Sequence, residues 1–266
     1  MYELTYTRAD TLAGAMETFN EGDDPKYVAG GQTLIPTMKA RLAAPSELID
    51  ITGIDELSGI CQDGDLIIIG AATTHAAVHD NALIGAKIPA LAALAGLIGD
   101  PMVRHRGTLG GSVANNDPSA DYPAALLGLG ASVRTDRRTL SADDFFVDMF
   151  ETDLEEDELI TAIAFPVPRR AAYAKFPNPA SRYAMAGALV AELADGSVRV
   201  AVTGAGSSGV FRWTEAEAAL GADMSEGALA GLTVNAEEML EDMHGSAEYR
   251  AHLVSVMTRR AVKALA

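Results

Sequence analysis

The chain has 266 residues and a formal net charge of −17, from 37 acidic and 20 basic side chains, a balance that repels phosphate backbones and anionic lipid and argues against nucleic acid as a partner. Its single cysteine, Cys61, excludes an internal disulfide and cannot by itself ligate an ordinary iron–sulfur cluster. The opening MYELTYTRAD lacks the basic and apolar segments of a signal peptide, and the longest apolar run, PALAALAGLIG, is too short to span a bilayer, so a cytoplasmic protein is expected.

The length is enough for two or three folding units. From residue 1 to 53 the pattern predicts strand, helix, strand, glycine loop, strand: Glu3 to Tyr6 alternate, Thr11 caps a helix through Phe19, Tyr27 to Ala29 lead into Gly30, and Leu48 to Ile51 return as a buried strand. A second region, 54–168, opens with DLIIIG, whose β-branched run fits a strand covered on both faces. Thr73 or Thr74 caps the next helix, and Pro89 starts an Ala/Leu helix that runs to Ile98. Asp100 to Asp121 reads as a long glycine-, asparagine- and proline-punctuated loop, a length that points to function. A helix over Pro123 to Leu129, a strand over Ala131 to Thr135, a short turn capped by Ser141 and a strand over Leu159 to Val167 complete this region.

Residues 169–266 read as a separate α+β unit. Ala184 to Leu193 and Val198 to Gly204 are strand-like and joined by Ala194-Asp195-Gly196-Ser197, a hairpin signal. Two or three helices follow on one face, the last over Ala247 to Leu265.

Two glycine pairs carry the chemical signal. Gly30-Gly31, in YVAGGQTLIP, offers backbone amides at Gly30, Gly31, Gln32 and Thr33, the Thr33 hydroxyl, and an exit fixed by Pro36. Taken alone it is also what an ordinary turn looks like. Gly110-Gly111 is flanked by Thr108, Ser112, Asn115 and Asn116 as donors, and Asp121 adds a carboxylate suited to ribose hydroxyls; a cofactor loop and a glycine-rich structural loop both fit. Neither pair matches the lysine-bearing P-loop or the G-x-G-x-x-G fingerprint. Two such loops can hold one diphosphate from both sides, as a large nucleotide cofactor requires.

VAGGQTLIPTMKARLAAPSELIDI, IGAATTH, IGDPMVRHRGTLGGSVANNDPSADYPAALL, AYAKF and the late SAEYRAHL…RRA, in that order, resemble the FAD-binding medium subunits of molybdenum hydroxylases, the xanthine dehydrogenase family. Within it the nearest match is the medium subunit of aerobic carbon monoxide dehydrogenase. The resemblance implies an α+β fold: a two-lobed FAD-binding domain of the vanillyl-alcohol-oxidase (PCMH) type over 1–53 and 54–168, and a flavoprotein C-terminal domain with antiparallel sheet and helices over 169–266. It implies that Ala29, Gly30, Gly31, Gln32 and Thr33 hold the FAD diphosphate from one side and Thr108, Gly110, Gly111 and Ser112 from the other. It further places Asn115 and Asp121 at the ribose–ribityl portion, Lys175 as a cation near the flavin, and Tyr183 over one face of the ring. No residue is expected to be catalytic or to bind metal.

Gln32-Thr33 and Asn116-Asp117 depart from the family's commoner His-Ser and His-Asp, a difference that bears on substrate more than on cofactor. The expected role is electron transfer: a partner's [2Fe–2S] clusters feed FAD here, a large molybdenum–pterin subunit oxidises the substrate, and FAD passes electrons to an external acceptor. The expected assembly is a heterohexamer, a dimer of heterotrimers, touching at most the inner face of the membrane through the complex. Rival readings are the flavin subunit of a purine, N-heterocycle or aldehyde hydroxylase, a stand-alone FAD oxidoreductase, and an assembly subunit without cofactor. His75 and His79, four apart, lack a third ligand in the sequence, and Arg104, His105 and Arg106 suit either a diphosphate screen or a solvated turn.

Overall fold

In the computed structural model, which describes residues 2–265, the first glycine pair follows the edge strand of a small parallel sheet. β1 (Thr5–Arg8) and β2 (Pro25–Val28) both pair in parallel with the central β3 (Glu47–Asp50). Parallel strands need crossover connections: α1 (Leu12–Glu21) carries the chain from β1 to β2, and the segment that begins at the glycine pair carries it from β2 to β3. Thr11 caps this helix by accepting from the Gly14 amide, and Phe19 stacks on Tyr27 with ring centroids 4.6 Å apart. The chain leaves β2 through Gly30-Gly31 into the short helix α2 (Leu34–Lys39).

The second lobe is a five-stranded antiparallel sheet in the order β4 (Ile60–Asp63), β5 (Leu66–Gly70), β10 (Ile160–Pro166), β6 (Ser132–Thr135), β7 (Thr139–Ser141). Between β5 and β6 run six helices: α3 (His75–Asp80), α4 (Ala82–Lys87), α5 (Pro89–Gly96), α6 (Pro101–Arg106), α7 (Leu109–Asn115) and α8 (Tyr122–Leu129). Every residue of α8 is buried, and Ile67 and Ile69 of β5 enter the same core while Ile68 stays half-buried. After β7, α9 (Ala142–Phe145) is capped by Ser141, and the hairpin of β8 (Phe146–Asp148) and β9 (Glu151–Thr152) projects before β10.

The sequence expectation of one long loop over Asp100 to Asp121 is corrected here: the segment holds α6 and α7. Asp100 Oδ1 accepts from the Val103 amide with Pro101 in the first helical position, and Thr108 Oγ1 accepts from the Gly111 amide. Asn116, left-handed at φ 42°, stops α7. The glycines that read as loop punctuation sit inside a capped helix.

The C-terminal sheet runs β11 (Arg170–Pro177), β12 (Ala184–Glu192), β13 (Val198–Thr203), β14 (Phe211–Arg212), all antiparallel, followed by α10 (Thr214–Ala222) and α11 (Ala247–Ala264). The hairpin through Ala194 to Ser197 forms as read. Residues of β12 alternate between two cores: Ala188 and Val190 pack with Val254 and Met257 of α11, whereas Leu189 and Ala191 pack with the second lobe. The helices of this unit cover one face, as expected, and α8 of the neighbouring lobe covers the other. β11 was not assigned from sequence, because Arg170 and Lys175 interrupt its apolar pattern.

Candidate flavin cleft

Loop one is built to present backbone donors. β2 is an edge strand, so the chain beyond Val28 leaves the sheet unpaired; the amides of Ala29, Gly30, Gly31, Gln32 and Thr33 have no acceptor among the described residues. Gly31 holds φ +69°, the left-handed conformation that turns successive N–H groups toward one point. Gly30 serves closeness instead: a Cβ there would overlap the Arg106 carbonyl oxygen, so this glycine lets the first loop touch the second lobe.

The second loop differs. The Leu109 amide donates to the Thr73 carbonyl (3.0 Å), the Gly110 amide to the Ala71 carbonyl (2.8 Å), and the Gly111 amide to Thr108 Oγ1 (3.2 Å). Gly110 is buried, and a Cβ on it would meet Ala71 atoms at 2.6 to 2.9 Å. The Gly110 amide is thus already committed within the fold, and its lack of a Cβ lets α7 pack closely on the end of β5. Gly111 and Ser112 do face the cleft, and the Thr108 hydroxyl, accepting from Gly111, keeps its own proton to donate.

Loop one and α7 line a cavity of about 440 Å³, with Thr33, Thr108, Gly111, Ser112 and Asn115 around it. Gln32, Thr33, Ser112 and Asn115 also line a second cavity of about 330 Å³, so the two are one cleft. Asp121, Lys175 and Tyr183 lie in the second part. The sequence-predicted residues thus converge, apart from the packing glycine Gly110.

Asp121 and Lys175 meet each other. The ammonium of Lys175 lies 2.8 Å from Asp121 Oδ2 and also donates to the Leu97 carbonyl (3.2 Å), and Tyr173 donates its hydroxyl to Asp121 Oδ1 at 2.5 Å. Both side chains of the ion pair are almost fully buried. Burial pushes the Asp121 carboxyl upward, opposed by Lys175 and Tyr173. Both Asp121 oxygens are engaged, and the Lys175 charge is offset within the protein. The pair forms because Lys175 and Tyr173 are two apart on β11 and so share a face; that period is the signal by which Tyr173 was legible, and sequence reasoning missed it.

Tyr183 stands half exposed at the rim rather than in the core, with burial as the main cause that raises its hydroxyl's pKa. Asp117, whose carboxyl burial also raises, lines the same cavity; the sequence marked it only as half of the Asn116-Asp117 departure and not as a site residue. His75 and His79 separate: the His75 amide donates to the Gly107 carbonyl (2.9 Å) beneath the second loop, whereas His79 Nδ1 donates to the Ala92 carbonyl (2.8 Å). Burial, with the neighbouring Arg104 charge, lowers His75 to about 4. Arg104, His105 and Arg106 form the last turn of α6.

The donor set suits a diphosphate: free amides and the Thr33 hydroxyl on one wall, hydroxyls of Thr108 and Ser112 across it, and a long extension lined by Asp121 and Tyr183. Comparison with known proteins agrees. The FAD binding domain of molybdopterin dehydrogenases matches residues 2–168, and the CO dehydrogenase flavoprotein C-terminal domain matches residues 171–265. The nicotine 6-hydroxylase medium subunit of Paenarthrobacter nicotinovorans is 36% identical over 97% of this chain and 96% of its own. The carbon monoxide dehydrogenase medium chain of Afipia carboxidovorans is 34% identical over 97% and 95%. Reconstituted CO dehydrogenase from Oligotropha carboxidovorans superposes with a TM-score of 0.90 at 33% identity, covering 100% of both chains.

Proposed function

The chain belongs to the FAD-binding family of the molybdopterin dehydrogenases, and from that premise we propose that it transfers electrons within a molybdenum hydroxylase complex of the carbon monoxide dehydrogenase type. It takes them from [2Fe–2S] clusters of a small partner subunit and passes them to an external acceptor. Oxidation of the carbon substrate falls to a large molybdenum subunit. The observation that carries the reading is the row of acceptor-free amides from Ala29 to Thr33, facing Thr108, Gly111 and Ser112 across one cleft.

FAD, when bound, supplies reversible uptake of electrons singly or in pairs. The chain's residues do the rest. Ala29 to Thr33 would hold the diphosphate with N–H groups, which matters in a chain of net charge −17. Ser112 and Asn115 line both halves of the cleft and would hold the cofactor where the two halves meet. Asp121, held by Tyr173 and Lys175, contributes a fixed carboxylate rather than a free one, and Tyr183 forms the outer wall. The absence of a ligand-grade cysteine set agrees with clusters held by a partner.

A second reading keeps the flavin and changes the complex to an N-heterocycle hydroxylase; the nicotine 6-hydroxylase medium subunit, at 36% identity, favours it as much as carbon monoxide dehydrogenase is favoured at 34%. Purification of the native complex tests both. About one extractable FAD per chain is expected, with a large molybdenum subunit and carbon monoxide oxidation. Turnover of an N-heterocycle instead selects the second reading, and a colourless, folded complex overturns both.

A further inference from the structure

The wall of the cleft that carries Asp117, Ala120 and Asp121 is a tight turn, held from outside the two FAD-binding lobes. Within the turn the Ala120 amide donates to the Asp117 carbonyl (2.9 Å) and the Ser119 amide to Asp117 Oδ1 (2.8 Å). The carbonyls of Pro118, Ser119 and Ala120 all turn instead to the C-terminal sheet. That of Pro118 accepts from the Gly204 amide (2.8 Å), that of Ser119 from the Ala184 amide (3.4 Å), and that of Ala120 from the Thr203 hydroxyl (2.6 Å). The Thr203 oxygen also lies 3.2 Å from the Pro118 carbonyl; one hydroxyl has one proton, so the contact with Ala120 is the bond and this is its weaker branch. The start of β12 and the end of β13 thus grip the turn, and Thr203 grips the peptide unit that joins Ala120 to Asp121.

Thr203 is fully buried and braced from behind. Arg250 of α11, also buried, gives Nη1 to the carbonyls of Met185 (2.9 Å) and Gly204 (2.8 Å), the residues that follow Ala184 and Thr203, and Nη2 to Asp242 Oδ2 (2.7 Å). Its Nε has no partner among the described residues. A charge buried to this depth adds little to stability beyond an apolar side chain of the same volume, and its best-attested use is to fix one arrangement. Here it fixes the two strand ends that hold the turn. Asp121 depends on that placement, because its two oxygens must meet Lys175 Nζ at 2.8 Å and the Tyr173 hydroxyl at 2.5 Å on β11.

We propose that Thr203, braced by Arg250, is a positioning residue for the flavin site: through the Ala120 carbonyl it holds Asp121 on Lys175 and keeps this wall of the cleft rigid and electrically balanced. The inference rests on the FAD reading of the cleft. Neither Thr203 nor Arg250 lines the cleft, so both act through the turn. Without the hydroxyl's bond, Asp121 drifts from Lys175, which its own bond to the Leu97 carbonyl (3.2 Å) keeps in place. The wall then gains positive charge, and the reduced form of the cofactor, the richer in electrons, is favoured.

The test uses the purified complex and Thr203→Val, which keeps the side chain's shape and removes its donor. With flavin reduction followed against a reference dye, this variant should raise the ratio of reduced to oxidised flavin about tenfold at equilibrium. FAD affinity, titrated after removal of the cofactor, should fall about tenfold. Thr203→Ser, which retains the hydroxyl, should restore both. Thr258→Val is the control: Thr258 is equally buried, and its hydroxyl donates to the Val254 carbonyl (2.8 Å) within α11, so its loss should lower Tm without moving the dye equilibrium. If Thr203→Val lowers Tm but leaves that equilibrium where Thr258→Val leaves it, or if Thr203→Ser is as perturbed as Thr203→Val, the residue only packs and the proposal fails. Arg250→Lys, whose single ammonium cannot span Met185, Gly204 and Asp242, should shift the equilibrium in the same direction; it decides the matter should Thr203→Val not fold. An unmoved equilibrium with FAD bound overturns this proposal alone, whereas a wild-type complex without extractable FAD overturns the reading beneath it.

Discussion

The two glycine loops look alike in sequence and differ in what their backbones are free to do. In the first, Ala29 to Thr33 leave an edge strand with their amides unspent, and Gly31 at φ +69° turns them to one side. In the second, Leu109, Gly110 and Gly111 have already given their amides to Thr73, Ala71 and Thr108. The first loop leaves its amides open to a ligand; the second is a joint that seats α7 on the sheet and offers side chains. Gly30 belongs to the joint as well, since its lack of Cβ lets Arg106 approach. A glycine pair thus states only that the backbone must come close to something, and the hydrogen-bond ledger of its amides decides whether that is a ligand or the protein.

The comparison breaks most visibly at Gly111, whose Cβ would meet only Thr108 Oγ1 at 2.9 Å before the open cleft. Gly111→Trp should abolish the flavin absorbance of the purified complex while the C-terminal domain stays folded by circular dichroism. Retained FAD would remove this face of α7 from the site.

A smaller effect tests the joint through pH. His75 lies under Gly107, buried and lowered to about 4 from 6.5. The unfolded chain therefore takes up a proton between those values that the folded chain refuses, so stability is complete above about pH 6.5 and falls as pH drops toward 4. The loss amounts to about 3 kcal/mol. Urea midpoints across this range should show the slope, and His75→Gln should flatten it. Gly110→Ala, which forces a Cβ against Ala71 at 2.6 Å, comes next: about 2 kcal/mol by overpacking, read as a fall in Tm of several degrees whether or not FAD is added. Destabilisation that FAD cancels would return Gly110 to the binding wall.

Much of this was legible in the sequence, and the misses have a common cause. Strands with unbroken β-branched runs, such as Leu66–Gly70, and helices with explicit caps, such as Thr11 before α1, were read correctly because local chemistry determines them. The cleft's residues were legible through their ordered motifs. What escaped was fixed by distant partners. β11 hides because Lys175 is polar until Asp121, fifty-four residues away, neutralises it, and α7 hides because its glycines look like loop until Thr108 and Ala71 satisfy them. The packing role of Gly110 depends on Ala71, which no local pattern reveals.

The finest test pits the two threonines against each other. Thr33 precedes α2 with φ −105° and ψ −54° and makes no side-chain capping bond, so its hydroxyl is uncommitted. Thr108 precedes α7 in extended conformation and accepts from Gly111 at 3.2 Å. Thr108→Ala should therefore lower the stability of the apoprotein by about 1 kcal/mol, the value of a lost cap, and Thr33→Ala should leave it unchanged within about 0.5 kcal/mol. FAD affinity, measured by fluorescence titration of the apoprotein, should fall in both, since both threonines line the cleft. If Thr33→Ala instead costs the greater stability, the first loop also holds the fold, and the division between a binding loop and a joint does not stand.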